Sequence, residues 1–72
     1  MIEVTRLKGK KMIVNAELIE TVEETPDTVI TLTNGKKFVV SESASEVTTL
    51  VINYKRKIFA MFSDYENKAE NV

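Results

Sequence analysis

Apolar and polar positions alternate along the first forty residues, and the rhythm then becomes helical. Ile2–Leu7 alternates and carries Ile, Val and Thr, which reads as a strand. Lys8-Gly9-Lys10 is a turn signal, and Lys11–Val14 is a short strand that closes a first hairpin. Asn15-Ala16-Glu17 interrupts the pattern. The Asn15 side chain can bond amides just ahead of it, so an Asx-turn or a single helical turn is expected there. Leu18–Glu24 resumes as a strand. Thr25-Pro26-Asp27-Thr28 reads as a type I turn in which proline presets φ at the second position. Thr28–Thr33 is dense in β-branched residues, Asn34-Gly35 reads as a two-residue type I′ turn, and Lys36–Ser41 completes a second hairpin.

That two-residue loop would set Leu32 opposite Lys37, Thr31 opposite Phe38 and Ile30 opposite Val39. One face would carry Ile30, Leu32 and Val39, and the other Val29, Phe38 and Val40. A sheet apolar on both faces needs two covers.

From Ser43 the period changes. Ser43-Ala44-Ser45-Glu46 fits a capping box. Val47, Leu50, Val51, Tyr54, Ile58, Met61 and Phe62 then recur at helical spacing, which predicts one amphipathic helix over Ala44–Phe62. Ile52 and Phe59 lie off that stripe. Together with the two-faced sheet, they predict a homo-oligomer. Residues 1–62 form one domain in this reading, and the polar stretch Ser63–Val72 is a tail expected to fray. The expected fold class is α+β: a small antiparallel β-sheet or partly curled barrel of about five short strands, followed by one C-terminal helix.

Composition narrows the chemistry. The chain has 72 residues, and a core that small rarely supplies more than ~3–5 kcal/mol. Cys and His are both absent, which removes disulfides, thiolate nucleophiles, imidazole bases and nearly every zinc pattern. The carboxylates Glu17, Glu20, Glu23, Glu24 and Asp27 cluster without EF-hand spacing, and read as a solvated strand edge that discourages pairing. Serines and threonines lack a base partner, and Gly9 and Gly35 are turn glycines outside any phosphate-binding loop. No enzyme, cofactor or metal is expected. Met1 leads directly into a strand-like run with no basic or apolar leader, so the expected location is cytoplasmic, with no membrane insertion.

A net charge of −1 gives no global attraction to nucleic acid, but the basic residues are grouped. Arg6, Lys8, Lys10 and Lys11 crowd the first hairpin, and Lys36 and Lys37 the second. Lys55-Arg56-Lys57 fans out around the helix axis. No aromatic platform for stacking single-stranded RNA accompanies them. The candidate interaction surface is therefore Arg6, Lys8, Lys10, Lys11, Lys36, Lys37, Ile52 and Phe59.

Two resemblances bear on function. The opening MIEVTRLKG resembles the start of the carbon-storage-regulator family of RNA-binding proteins. That family's first strand carries adjacent arginines that touch RNA, whereas here Leu7 follows Arg6 and later segments do not match. This resemblance implies a small RNA-binding post-transcriptional regulator as the alternative reading. A longer one runs from Met1 to about Phe59, through MIEVTRLKG, NAELIETVEETPDTVITLTNGKKFVVSES and VINYKRKI. It is to the small FlbD family, also called SwrD, which is distinct from the transcriptional activator of the same name. It implies a cytoplasmic, non-enzymatic accessory of flagellar motility and swarming that supports motor performance by protein–protein contact. The implied partner is a flagellar motor or stator component, and the implied place is peripheral to the motor.

Overall fold

In the computed structural model, which describes the backbone of residues 1–70 and the side chains of residues 1–62, the alternating half of the chain forms five strands. They are β1 (Ile2–Thr5), β2 (Lys11–Val14), β3 (Ile19–Glu24), β4 (Thr28–Leu32) and β5 (Lys37–Val40). A 3₁₀ turn, Ala16–Leu18, separates β2 from β3, and α1 (Ala44–Glu70) follows β5. The turn forms as Asn15 dictates: its Oδ1 accepts the Glu17 N–H at 3.0 Å.

The strands make two antiparallel sheets, β1-β2 and β3-β4-β5. A single bridge between Arg6 and Val40 joins them, and the Ser41 N–H donates to the Thr5 carbonyl at 2.8 Å. The α+β class is as expected, in its open form rather than as a closed barrel. β3 is an outer strand, and Glu20, Glu23 and Glu24 on it are exposed, which suits the edge role read from the acidic cluster.

The second hairpin corrects the expected register. Val29 pairs with Val39, Ile30 with Phe38 and Thr31 with Lys37. The Leu32 N–H donates to the Lys36 carbonyl at 2.8 Å and the Gly35 N–H to the Leu32 carbonyl at 2.9 Å. The loop is thus Thr33-Asn34-Gly35, with Gly35 at φ +87°, the three-residue form that ends in a glycine bulge. One extra loop residue moves every β5 side chain to the opposite face. Thr28, Ile30, Leu32, Phe38 and Val40 now share the inner face. The outer face keeps one apolar row, Val29 and Val39, beside Glu23, and next to the polar row of Thr21, Thr31 and Lys37. The sheet is not apolar on both faces, so that argument for self-association falls.

The first hairpin repeats the same turn. The Arg6 N–H donates to the Lys10 carbonyl and the Gly9 N–H to the Arg6 carbonyl, both at 2.8 Å, and Gly9 also lies at φ +87°. Nothing lies within 4 Å of a Cβ built at Gly35, so a substitution there is penalised by backbone conformation alone. Gly35→Val should cost about 1–2 kcal/mol in urea unfolding, and Gly35→Asn distinctly less, because Asn tolerates the left-handed region. Equal losses would contradict the bulge. The β3–β4 turn differs from expectation as well: the Thr25–Pro26 peptide is cis, in place of a type I turn. Proline is the residue whose preceding bond has little trans preference.

The core is one cluster of Ile2, Val4, Val14, Ala16, Ile30, Leu32, Val40 and Val47. Helix α1 starts at the capping box. The Glu46 N–H donates to Ser43 Oγ at 3.1 Å, and the Ala44 N–H donates to Glu24 Oε1 at 2.6 Å, which ties the helix start to β3. Val47 is fully buried, and Leu50, Val51 and Tyr54 pack against the core while half-buried. The stripe does not continue inward as expected: Met61 is 72% and Phe62 64% exposed. A helix rises ~1.5 Å per residue, while strands of this length span only about 13–20 Å, so α1 outruns the sheets it packs on. Its backbone continues to Glu70, past the boundary expected at Phe62. The molecule is accordingly long and thin, with extents of 52 × 23 × 18 Å.

Candidate functional site

The residues singled out from the sequence fall into two separate groups. Lys8, Lys10, Lys36 and Lys37 are exposed on the two glycine-bulge hairpins, and among the described residues none of the four forms an ion pair. Backbone hydrogen bonds close both loops, and their lysines are exposed to solvent. Lys11 differs: its Nζ lies 3.3 Å from Glu3 Oε1, an exposed pair worth little in stability but one that neutralises its charge.

Arg6 is also engaged. Its guanidinium sits 5.6 Å from the centroid of the Phe38 ring, a cation–π contact across the seam between the two sheets. The bridge from Arg6 to Val40 sets that approach, because it brings the end of β1 against β5. Arg6 therefore joins the strand that carries Lys37.

A groove of about 460 Å³ lies between the first hairpin and the start of α1, lined by Glu3, Thr5, Lys11, Glu42, Thr49 and Leu50 among others. Its carboxylates already have structural partners. Glu3 holds Lys11, and Glu42 Oε1 accepts the Thr5 N–H at 2.8 Å. Partial burial pushes the Glu42 carboxyl up. Hydrogen bonds from the Thr5 amide and hydroxyl, with the Lys11 charge behind them, outweigh this, and the group sits below its ordinary value. Glu42 thus acts as a clamp between β1 and the β5–α1 connection. Among the described residues, no acidic cluster has the geometry to hold a metal ion.

The apolar candidates belong to α1. Phe59 is 74% exposed and Ile52 is also exposed, as the off-stripe positions predicted. What the pattern did not anticipate is the groove beside them, about 430 Å³, lined by Glu17, Lys55, Ile58, Phe59 and Phe62. The signal for it was available in length. The apolar run Ile58-Phe59-Ala60-Met61-Phe62 begins where a helix that starts at Ala44 has already passed the end of a short sheet. No helix among the described residues is long and apolar enough to cross a membrane.

Comparison with known protein families gives one match. The model of the family described as FlbD, flagellar and swarming motility proteins, matches residues 1–59. No curated protein and no solved structure gives a match. The matched span takes in both basic hairpins and the docked part of α1.

Proposed function

The chain belongs to the FlbD family of flagellar and swarming motility proteins, and from that premise we propose that it is a non-enzymatic accessory that supports motor performance by binding a motor or stator component. The observation that carries the contact mechanism is the pair of hairpin turns whose lysines, among the described residues, form no ion pair. Two hairpins whose loops share a backbone hydrogen-bonding pattern present Lys8 and Lys10, and Lys36 and Lys37, to solvent. Such a surface complements an acidic protein face, where charge pairing speeds encounter and selects the partner. Its place of action in this reading is the cytoplasmic side of the motor.

The test is a deletion strain scored for filament number and for swimming torque. The expected result is normal filament number with reduced torque, restored by the wild-type chain. Lys8→Glu/Lys10→Glu should fail to restore torque while folding normally, since exposed substitutions shift stability by only about ±0.5 kcal/mol. Bald cells in the deletion would overturn the motor role, and full rescue by the variant would clear the turns. If the turns contacted RNA instead, binding would weaken steeply with salt as counterions return to the phosphates.

A further inference from the structure

The outer strands β2 and β3 differ in how their open edges are guarded. β3 carries the exposed carboxylates Glu20, Glu23 and Glu24, and its register shifts between Ile19 and Thr21. Charged side chains and bulges both keep a further strand from adding to an edge. β2 is the outer strand of the other sheet, and its register is regular: Ile2 with Val14, Glu3 with Ile13, Val4 with Met12 and Thr5 with Lys11. The bond from the Arg6 N–H to the Lys10 carbonyl fixes the phase of this ladder. Opposed residues of an antiparallel pair alternate between bonded and non-bonded, so Met12 and Val14 turn their N–H and C=O groups toward β1. Lys11 and Ile13 turn theirs away from it. Among the described residues, no turn or inter-sheet backbone bond reaches those outward groups.

The side chains leave this edge open. The Lys11 ammonium lies 3.3 Å from Glu3 Oε1 and so stands over β1 rather than off the edge. Ile13 is 60% exposed, an apolar side chain in the middle of the open stretch. Lys8 and Lys10 are exposed where β2 begins, and the run from Leu7 to Val14 contains no carboxylate. An extended segment laid on such an edge gains main-chain hydrogen bonds, and the flanking side chains select its sequence. Here they select carboxylates beside Lys8 and Lys10 and an apolar residue beside Ile13. Building on the reading of the basic hairpins as a surface for an acidic protein, we propose that β2 accepts an extended acidic segment of that partner as an added strand, bonded to the backbone of Lys11 and Ile13. The glutamates of β3 repel the same segment, so the partner is directed to one edge.

The probe is a short peptide of alternating glutamate and valine, titrated into the full chain while amide hydrogen exchange is read residue by residue. In the free chain, Lys11 and Ile13 should exchange fast, and Met12 and Val14 slowly. At saturation Lys11 and Ile13 should slow by at least about tenfold, with Met12 and Val14 unchanged. The same peptide with lysine in place of glutamate should not bind. Ile13→Pro removes the outward N–H and spares the ladder to β1, so it should weaken peptide binding by at least about tenfold; Ile13→Thr, which keeps that N–H, should bind more tightly than the proline variant. If Ile13→Pro fails to fold, the exchange pattern of the wild type decides alone. A glutamate peptide that does not bind, or that binds without slowing Lys11 and Ile13, would overturn the proposal. So would slow exchange of these two amides in the free chain, since the edge would then already be occupied, by a second copy if the protection grows with concentration. None of these readouts involves the motor, so strand addition stands or falls separately from the phenotype of the deletion strain.

Discussion

Ile30→Ala should leave most of the chain unfolded at room temperature. Ile30 is fully buried at the centre of β4, with Val22 opposite on one side and Phe38 on the other. Truncating a buried Ile to Ala costs roughly 2–5 kcal/mol, through lost burial and the cavity left behind. Among the described residues the buried apolar cluster has eight members, and a core of that size rarely yields more than ~3–5 kcal/mol in total. The two figures are of the same size, so little stability should remain. Urea titration followed by circular dichroism gives the measurement. Ile30→Val, which removes one methylene, should keep the fold at a loss of about 0.5–1.5 kcal/mol. An Ala variant that melts within about five degrees of the wild type would mean that Ile30 is not the centre of the core.

Most of the secondary structure was legible because each element had its own local cause. The Ser43 and Glu46 pair marked the helix start, and the structure makes the Glu46 N–H to Ser43 Oγ bond. Asn15 marked the 3₁₀ turn in the same way. The second hairpin was harder. Asn34-Gly35 favours a two-residue loop and also serves a three-residue loop with glycine at the bulge, and the two differ by one step of register. Local chemistry does not decide between them. The core does, because only the longer loop puts Phe38 and Val40 on the same side as Ile30 and Leu32. A tertiary requirement thus chose the turn that the dipeptide permits but does not favour.

The candidate surface was legible by charge and period, but not by arrangement. Lys8, Lys10, Lys36 and Lys37 are exposed as their turn positions implied. Arg6 and Lys11 looked equivalent to them, yet Phe38 and Glu3 engage these two, and both partners are remote in sequence or across a strand pair. Ile52 and Phe59 stood out as off-stripe residues. Phe62 did not, because helical spacing alone counts it with the docked stripe. Where the stripe stops being covered depends on how far the sheets extend, and strand length along one axis is not written in the helix itself.

Docking of α1 should depend on Val47 far more than on any other residue of the helix. Val47 is fully buried one turn into α1, directly after the capping box, and among the described residues is the one α1 residue in the buried cluster. Leu50, Val51 and Tyr54 only flank the cluster. Val47→Asp would place a carboxylate among Val and Ile side chains. Burying a charge without a partner costs several kcal/mol, more than this core can spare. The chain then unfolds, or α1 releases from β1 and β3 and exposes the core. Either outcome removes the cooperative melting transition. Leu50→Ala removes more atoms but from a half-buried site, and should cost only about 1–2 kcal/mol, below the range for full burial. Thermal unfolding of the two variants side by side checks the ranking. In a domain this size ~1 kcal/mol moves the midpoint by roughly 4–8 °C, so the Leu50 variant should keep a clear transition at lower temperature. If Val47→Asp melts above Leu50→Ala, the helix is seated through a different face than the one described.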